Sequence, residues 1–114
     1  MTLEIIEANS DLPWDYRDIS DNSNLTINFI KKNHDQAWEW YCISRNSNIT
    51  IDDIDETPEY PWNYEGISKN PNLTEKFIIK HLNEKWEWKY ISENSNITFE
   101  WYNIYYIKKD IWAF

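Results

Sequence analysis

A period of 24 residues runs through the chain and constrains its fold more than any other feature. Four copies align without an insertion, and they are 13–36, 37–60, 61–84 and 85–108. Residues 2–12 match the second half of a copy, and 109–114 form an apolar tail. A unit this short cannot bury its apolar side alone. We therefore expect residues 1–114 to form a single repeat domain in which neighbouring copies pack on each other.

Six columns of the repeat are identical in all four copies. In the first copy they are Trp14, Ile19, Ser20, Asn22, Asn24 and Thr26. The Trp and Ile columns are the natural core, since each large apolar side chain contributes about 1.5–3 kcal/mol when buried. The Ser, Asn and Thr columns are predicted to supply turn and cap hydrogen bonds, and a serine that recurs in this way suits a structural ladder better than a nucleophile.

Each copy carries two helix signals. Thr26 and its counterparts each come directly after a Leu or Ile, and an apolar residue lies four positions after each threonine. This is the spacing of a helix N-cap with a hydrophobic staple. Pro13 followed by Trp14 and Asp15 predicts a second helix with the proline at its first position. We therefore predict an all-α solenoid of stacked short helix pairs. A leucine-rich-repeat-like β/α coil stays open as the alternative, because its period includes 24 and residues 38–40 alternate as Trp-Glu-Trp.

Residues 61–74 read PWNYEGISKNPNLT, and the other copies follow the same pattern. This motif resembles the tandem-repeat proteins of giant DNA viruses of protists, whose repeats are of the PWxWxxISxNPNIT type. The resemblance covers nearly the whole chain, but the fourth copy departs from it after Thr98. It implies a viral protein and little about activity.

Composition excludes several classes of function. The chain has 20 acidic and 11 basic residues, a net charge of −9, which argues against nucleic-acid binding. One cysteine excludes a disulfide framework or a cysteine-based zinc site, and one glycine excludes a glycine-rich phosphate loop. No apolar run reaches the ~20 residues of a membrane span, and no signal peptide is visible. We expect no metal, no cofactor and an intracellular location, which would be the host cytoplasm if the protein is viral.

The leading functional hypothesis is a scaffold for protein–protein interaction without catalytic activity. Specificity would lie in columns that vary between copies, and the candidate residues are Arg17, Tyr41, Glu65 and Lys89, and Asp21, Arg45, Lys69 and Glu93. The second copy has six acidic residues and one basic residue. Its run Asp52, Asp53, Asp55 and Glu56 is interpreted as a patch for a basic partner. A solvated helix face and a weak calcium site are the alternatives.

The alternative function is that of a self-assembling structural protein. The chain ends on an apolar segment, and its candidate contact residues are Trp101, Tyr105, Trp112 and Phe114. An exposed apolar end would join copies of the chain as a homodimer or a homo-oligomer. The alternative is that the same segment folds back over the last copy of the repeat, and the sequence leaves both arrangements open.

Overall fold

The computed structural model describes residues 2–98 of the chain, and these residues form short α-helices joined by turns. In chain order the helices are α1 (Leu3–Ala8), α2 (Tyr16–Ile19), α3 (Ile27–Lys32), α4 (Trp40–Arg45), α5 (Ile51–Asp55), α6 (Tyr64–Ser68), α7 (Glu75–Lys80) and α8 (Trp88–Glu93). Residues 2–98 contain no β-strand. The all-α prediction is confirmed for this part of the chain, and the β/α coil is wrong there.

The odd-numbered helices begin after the constant threonine, as predicted. The side chains of Thr26 and Thr74 accept hydrogen bonds from the backbone N–H groups of Phe29 and Phe77, at 3.1 and 3.2 Å. Thr50 and Asp53 exchange hydrogen bonds in a capping box. These bonds satisfy N–H groups that the first turn of a helix leaves without a partner.

The even-numbered helices begin later than predicted. Asp15 is the N-cap of α2, and its carboxylate accepts hydrogen bonds from the backbone N–H groups of Arg17 and Asp18. The first helical residue is therefore Tyr16, and the placement of Pro13 at that position is wrong. At α2 the physical reason is that the capping carboxylate serves two N–H groups of the first turn, although α8 begins in the same column without a side-chain cap bond. Trp14 consequently lies in the connection between two helices.

The tryptophan column fastens this connection to the preceding helix. In every copy the indole N–H donates to the backbone carbonyl five residues earlier, at 2.7–2.9 Å. Trp38 and Trp86 are buried, whereas Trp14 and Trp62 are partly buried against the core. The constant isoleucine column, from Ile19 to Ile91, is buried throughout. The predicted core is thus confirmed for the isoleucines and only in part for the tryptophans.

Hydrogen bonds from the constant polar columns connect each copy to the next. The hydroxyls of Ser20, Ser44 and Ser68 accept from backbone N–H groups of the following copy at 2.9–3.0 Å. Amide groups of Asn46, Asn70 and Asn94 donate to backbone carbonyls of the preceding copy. The serine ladder predicted from the sequence is confirmed at these positions.

Gly66 marks the closest approach between α4 and α6. A Cβ atom at this position would lie 2.6 Å from the carbonyl oxygen of Tyr41 and 2.8 Å from the Cβ of Ser44. Both distances are shorter than real Cβ contacts, and the first neighbour is backbone. A residue without a side chain is therefore required here, in a column that holds Asp18, Cys42 and Tyr90 in the other copies.

Candidate interaction site

The variable columns chosen from the sequence lie on the even-numbered helices or just after their last residues. Arg17, Glu65 and Lys89 are exposed, whereas Tyr41 and Arg45 are half-buried. Arg17, Tyr41 and Arg45 line one surface depression between α2 and α4. The structure therefore brings these three predicted residues together. Glu65 and Lys89 lie on later helices and do not line this depression.

A cluster of cations and tyrosine rings connects the second, third and fourth copies. The guanidinium of Arg45 lies 5.0 Å from the centroid of the Tyr41 ring. The Nζ of Lys69 lies 5.2 Å from that centroid and 4.1 Å from the centroid of Tyr90. Cations attract the faces of aromatic rings at such distances. We call Tyr41, Arg45, Lys69 and Tyr90 the tyrosine band.

Further polar contacts hold the tyrosine band in place. Lys69 donates a hydrogen bond to the Tyr41 hydroxyl, and this bond raises the pKa of the Lys69 ammonium. Arg45 forms an ion pair with Asp21 at 3.3 Å. Burial, followed by the carboxylate of Asp21, raises the pKa of the Cys42 thiol beside the band. The thiol is thereby kept in its protonated, less nucleophilic form.

The four carboxylates of the predicted acidic run have different surroundings. Asp53 is engaged in the capping box with Thr50. The Nζ of Lys80 donates to both carboxylate oxygens of Asp55, at 2.8 and 3.0 Å. These hydrogen bonds lower the pKa of the Asp55 carboxyl. Asp52 and Glu56 are exposed. Within residues 2–98, no group of three or more His, Cys, Asp or Glu side chains is arranged to hold a metal ion.

A pocket of about 200 Å3 lies at the junction of the second and third copies. Its lining includes Asp55, Tyr60, Trp62, Tyr64, His81 and Glu84. Burial, then the carboxylate of Glu84, raises the pKa of Tyr64 to about 12, so its hydroxyl stays protonated at neutral pH. That hydroxyl lies 3.4 Å from Nδ1 of His81.

This pocket is not predicted from the sequence. Its residues come from the end of one copy and from both halves of the next, and only packing brings these segments together. The one available signal was that Tyr60 and Glu84 replace Leu12 and Gln36 in a single column.

The two histidines lie at or just beyond the ends of odd-numbered helices. His34 is exposed, with Nδ1 3.2 Å from the carbonyl oxygen of Lys31. His81 is the C-cap residue of α7. The proposed self-association residues Trp101, Tyr105, Trp112 and Phe114 lie outside the described residues.

Comparison with known proteins places the chain in no family. No family model, no curated protein and no solved structure matches it. The resemblance to giant-virus repeat proteins therefore stays a prediction from the motif. None of the helices between residues 2 and 98 is long and apolar enough to cross a membrane.

Proposed function

We propose that this chain is a solenoid scaffold that binds a protein partner and has no catalytic activity of its own. The solenoid is supported by the hydrogen bonds that link each copy to the next at a constant spacing. It is also supported by the elongated dimensions of 53 × 24 × 20 Å. Solenoids of stacked repeats present extended surfaces that bind other proteins.

The tyrosine band is the observation that carries the proposal. Tyrosine and arginine are enriched among the residues that dominate protein interfaces. Here Tyr41 and Arg45 are half-buried, and Lys69 is held between two rings. Side chains fixed in advance lose little conformational freedom when a partner binds. The band lies in variable columns, whereas the columns that link the copies are constant.

A pair of double variants tests this function. Tyr41→Ala with Lys69→Ala removes the centre of the tyrosine band, and Lys31→Ala with Lys76→Ala removes two exposed lysines on odd-numbered helices. Each protein is cross-linked in host lysate, and captured proteins are quantified by mass spectrometry. We expect the band variant to capture about tenfold less of one specific partner than the wild type does.

The control variant should retain that partner, and circular dichroism should show that both variants are folded. Equal capture of the same proteins by the wild type and the folded band variant would overturn the proposal.

Self-association is a second candidate, and the apolar segment 111–114 favours it. We propose that this end of the chain joins two or more copies. Light scattering over a concentration series is expected to show a dimer or larger species. Truncation after Lys108 should then give a monomer. A monomer at every concentration of the full chain would contradict self-association.

A further inference from the structure

The pocket at the junction of the second and third copies combines aromatic rings with carboxylates. The ring centroids of Tyr60 and Trp62 are 6.4 Å apart, at 61°. Tyr64 is stacked on Phe77 with centroids 6.4 Å apart. Asp55 and Glu84 also line the pocket. Ring faces and carboxylates both attract positive charge.

The polar groups of this pocket differ in the interaction partners that the chain gives them. Both oxygens of Asp55 bind Lys80, whereas Glu84 is exposed at the pocket wall, where its carboxylate interacts with the Tyr64 hydroxyl. The Nε2 atom of His81 is buried and has no hydrogen-bond partner among residues 2–98, and it lies 3.9 Å from Asp55. A buried polar atom without a partner is uncommon in proteins. The pocket therefore retains negative charge at the exposed carboxylate of Glu84.

The size and chemistry of the pocket select a small organic cation. A volume of about 200 Å3 is below the ~300–1,000 Å3 of sites for drug-sized ligands. A primary ammonium needs several hydrogen-bond acceptors, but Asp55 is already engaged by Lys80. A quaternary ammonium needs none, because ring faces and a nearby carboxylate stabilise it through its diffuse charge.

We propose that this pocket binds an alkylammonium group and prefers the quaternary, methylated form. The group would be presented either by a small molecule such as choline or by a trimethylated lysine side chain. This inference goes beyond the scaffold function. The pocket shares no residue with the tyrosine band, so either proposal can fail alone.

The preceding junction supplies an internal comparison. One repeat earlier, the positions of Asp55, Tyr60 and Glu84 hold Lys31, Gln36 and Tyr60. The change replaces both carboxylates and introduces a cation. The alkylammonium site is therefore particular to the second and third copies and is not a property of the repeat.

The first experiment compares a cation with its neutral counterpart. Choline and its carbon isostere, in which a tert-butyl group replaces trimethylammonium, are titrated into the 15N-labelled full chain. The Trp62 indole resonance, assigned with Trp62→Phe, reports on the pocket. We expect saturable binding of choline with a Kd on the order of 1 mM. The neutral isostere should bind at least about fivefold more weakly.

The two sources of the ammonium are then compared. N-acetyl-trimethyllysine amide is titrated beside choline and beside the unmethylated lysine amide. Tighter binding of trimethyllysine than of choline assigns the site to a protein side chain, and the reverse order assigns it to a small molecule. Equal binding of lysine and trimethyllysine would overturn the preference for the methylated form.

Variants locate the binding. Tyr60→Leu and Glu84→Gln are each expected to weaken choline binding about fivefold. Glu59→Gln, at an exposed neighbour outside the pocket lining, should leave it unchanged. The wild-type titration needs no variant to fold. Equal responses to choline and its neutral isostere, or no saturable response to any ammonium, would overturn the inference.

Discussion

The two junctions on either side of α6 share the same serine hydrogen bonds, but the even-numbered helices pack on each other to different extents. At the first, Gly66 lets α6 approach the backbone of α4. At the second, Tyr90 occupies the same column, and α8 packs on α6 less extensively than α4 does. The serine hydrogen bonds are nevertheless alike, at 2.9 Å for Ser44 and 3.0 Å for Ser68. The hydrogen bonds of the constant columns are thus alike at the two junctions, whereas the even-numbered helices pack more extensively where the variable column holds Gly66 than where it holds Tyr90.

The difference also changes the surface. At the second junction the Tyr90 ring lies under the Lys69 ammonium and becomes part of the tyrosine band. At the first, Gly66 contributes no side chain, and Tyr41 contacts Lys69 from the preceding copy. The ring of Tyr41 from the first junction and the ring of Tyr90 from the second therefore both contact Lys69.

The largest expected effect comes from filling the close junction. Gly66→Leu places side-chain atoms against the carbonyl oxygen of Tyr41, which cannot move without displacing α4. We expect a loss of about 3 kcal/mol in the free energy of unfolding, measured by urea denaturation. Glu65→Ala, at the exposed neighbouring position, should change it by less than about 0.5 kcal/mol. A Gly66→Leu protein as stable as the wild type would show that the approach is not close.

An effect of intermediate size is expected when the asparagines of the two junctions are compared for their contribution to stability. Asn70 is fully buried, and its amide group donates to the carbonyls of Ser44, Asn46 and Ile49 at 2.9–3.2 Å. Asn94 is partly buried, and its amide donates to the carbonyl of Asn70 at 2.9 Å. We expect Asn70→Ala to cost about 3 kcal/mol or less and Asn94→Ala about 1 kcal/mol. Equal losses in urea denaturation would show that burial does not distinguish the junctions.

The smallest effect concerns pH. The pKa of Tyr64 is raised to about 12 in the folded chain, against about 10 for an unperturbed tyrosine. Above pH ~10 the unfolded chain releases this proton while the folded chain retains it, so stability falls as pH rises toward 12. Tyr64→Phe removes this contribution, and its stability should fall less over the same range. Because the ring is partly exposed, we expect a small difference, and identical pH profiles would contradict the raised pKa.

The sequence predicted several features of the fold correctly because their causes are local. Thr26 and its counterparts cap helices whatever lies around them, since the bond reaches only three residues along the chain. The predicted start of the second helix is too early. Proline is common at the first position of a helix, and the prediction therefore favours Pro13. The helix begins instead after Asp15, whose carboxylate caps α2.

The candidate site was less predictable. Tyr41 and Arg45 were identified from their variable columns, but nothing in the sequence indicated that Lys69 bridges the rings of Tyr41 and Tyr90. The pocket was not predicted at all, because Asp55 and Glu84 are 29 positions apart in sequence. Their proximity depends on how the second copy packs on the third.

The sequence by itself determined the period, the alternation of two short helices in each described copy, and the polar columns that link one copy to the next. These follow from capping and from strict spacing, which act over a few residues or repeat identically. Only the tertiary structure decided which variable side chains meet. Gly66 lets α6 pack against the backbone of α4, and the contacts of Lys69 with Tyr41 and Tyr90 join side chains from three different copies.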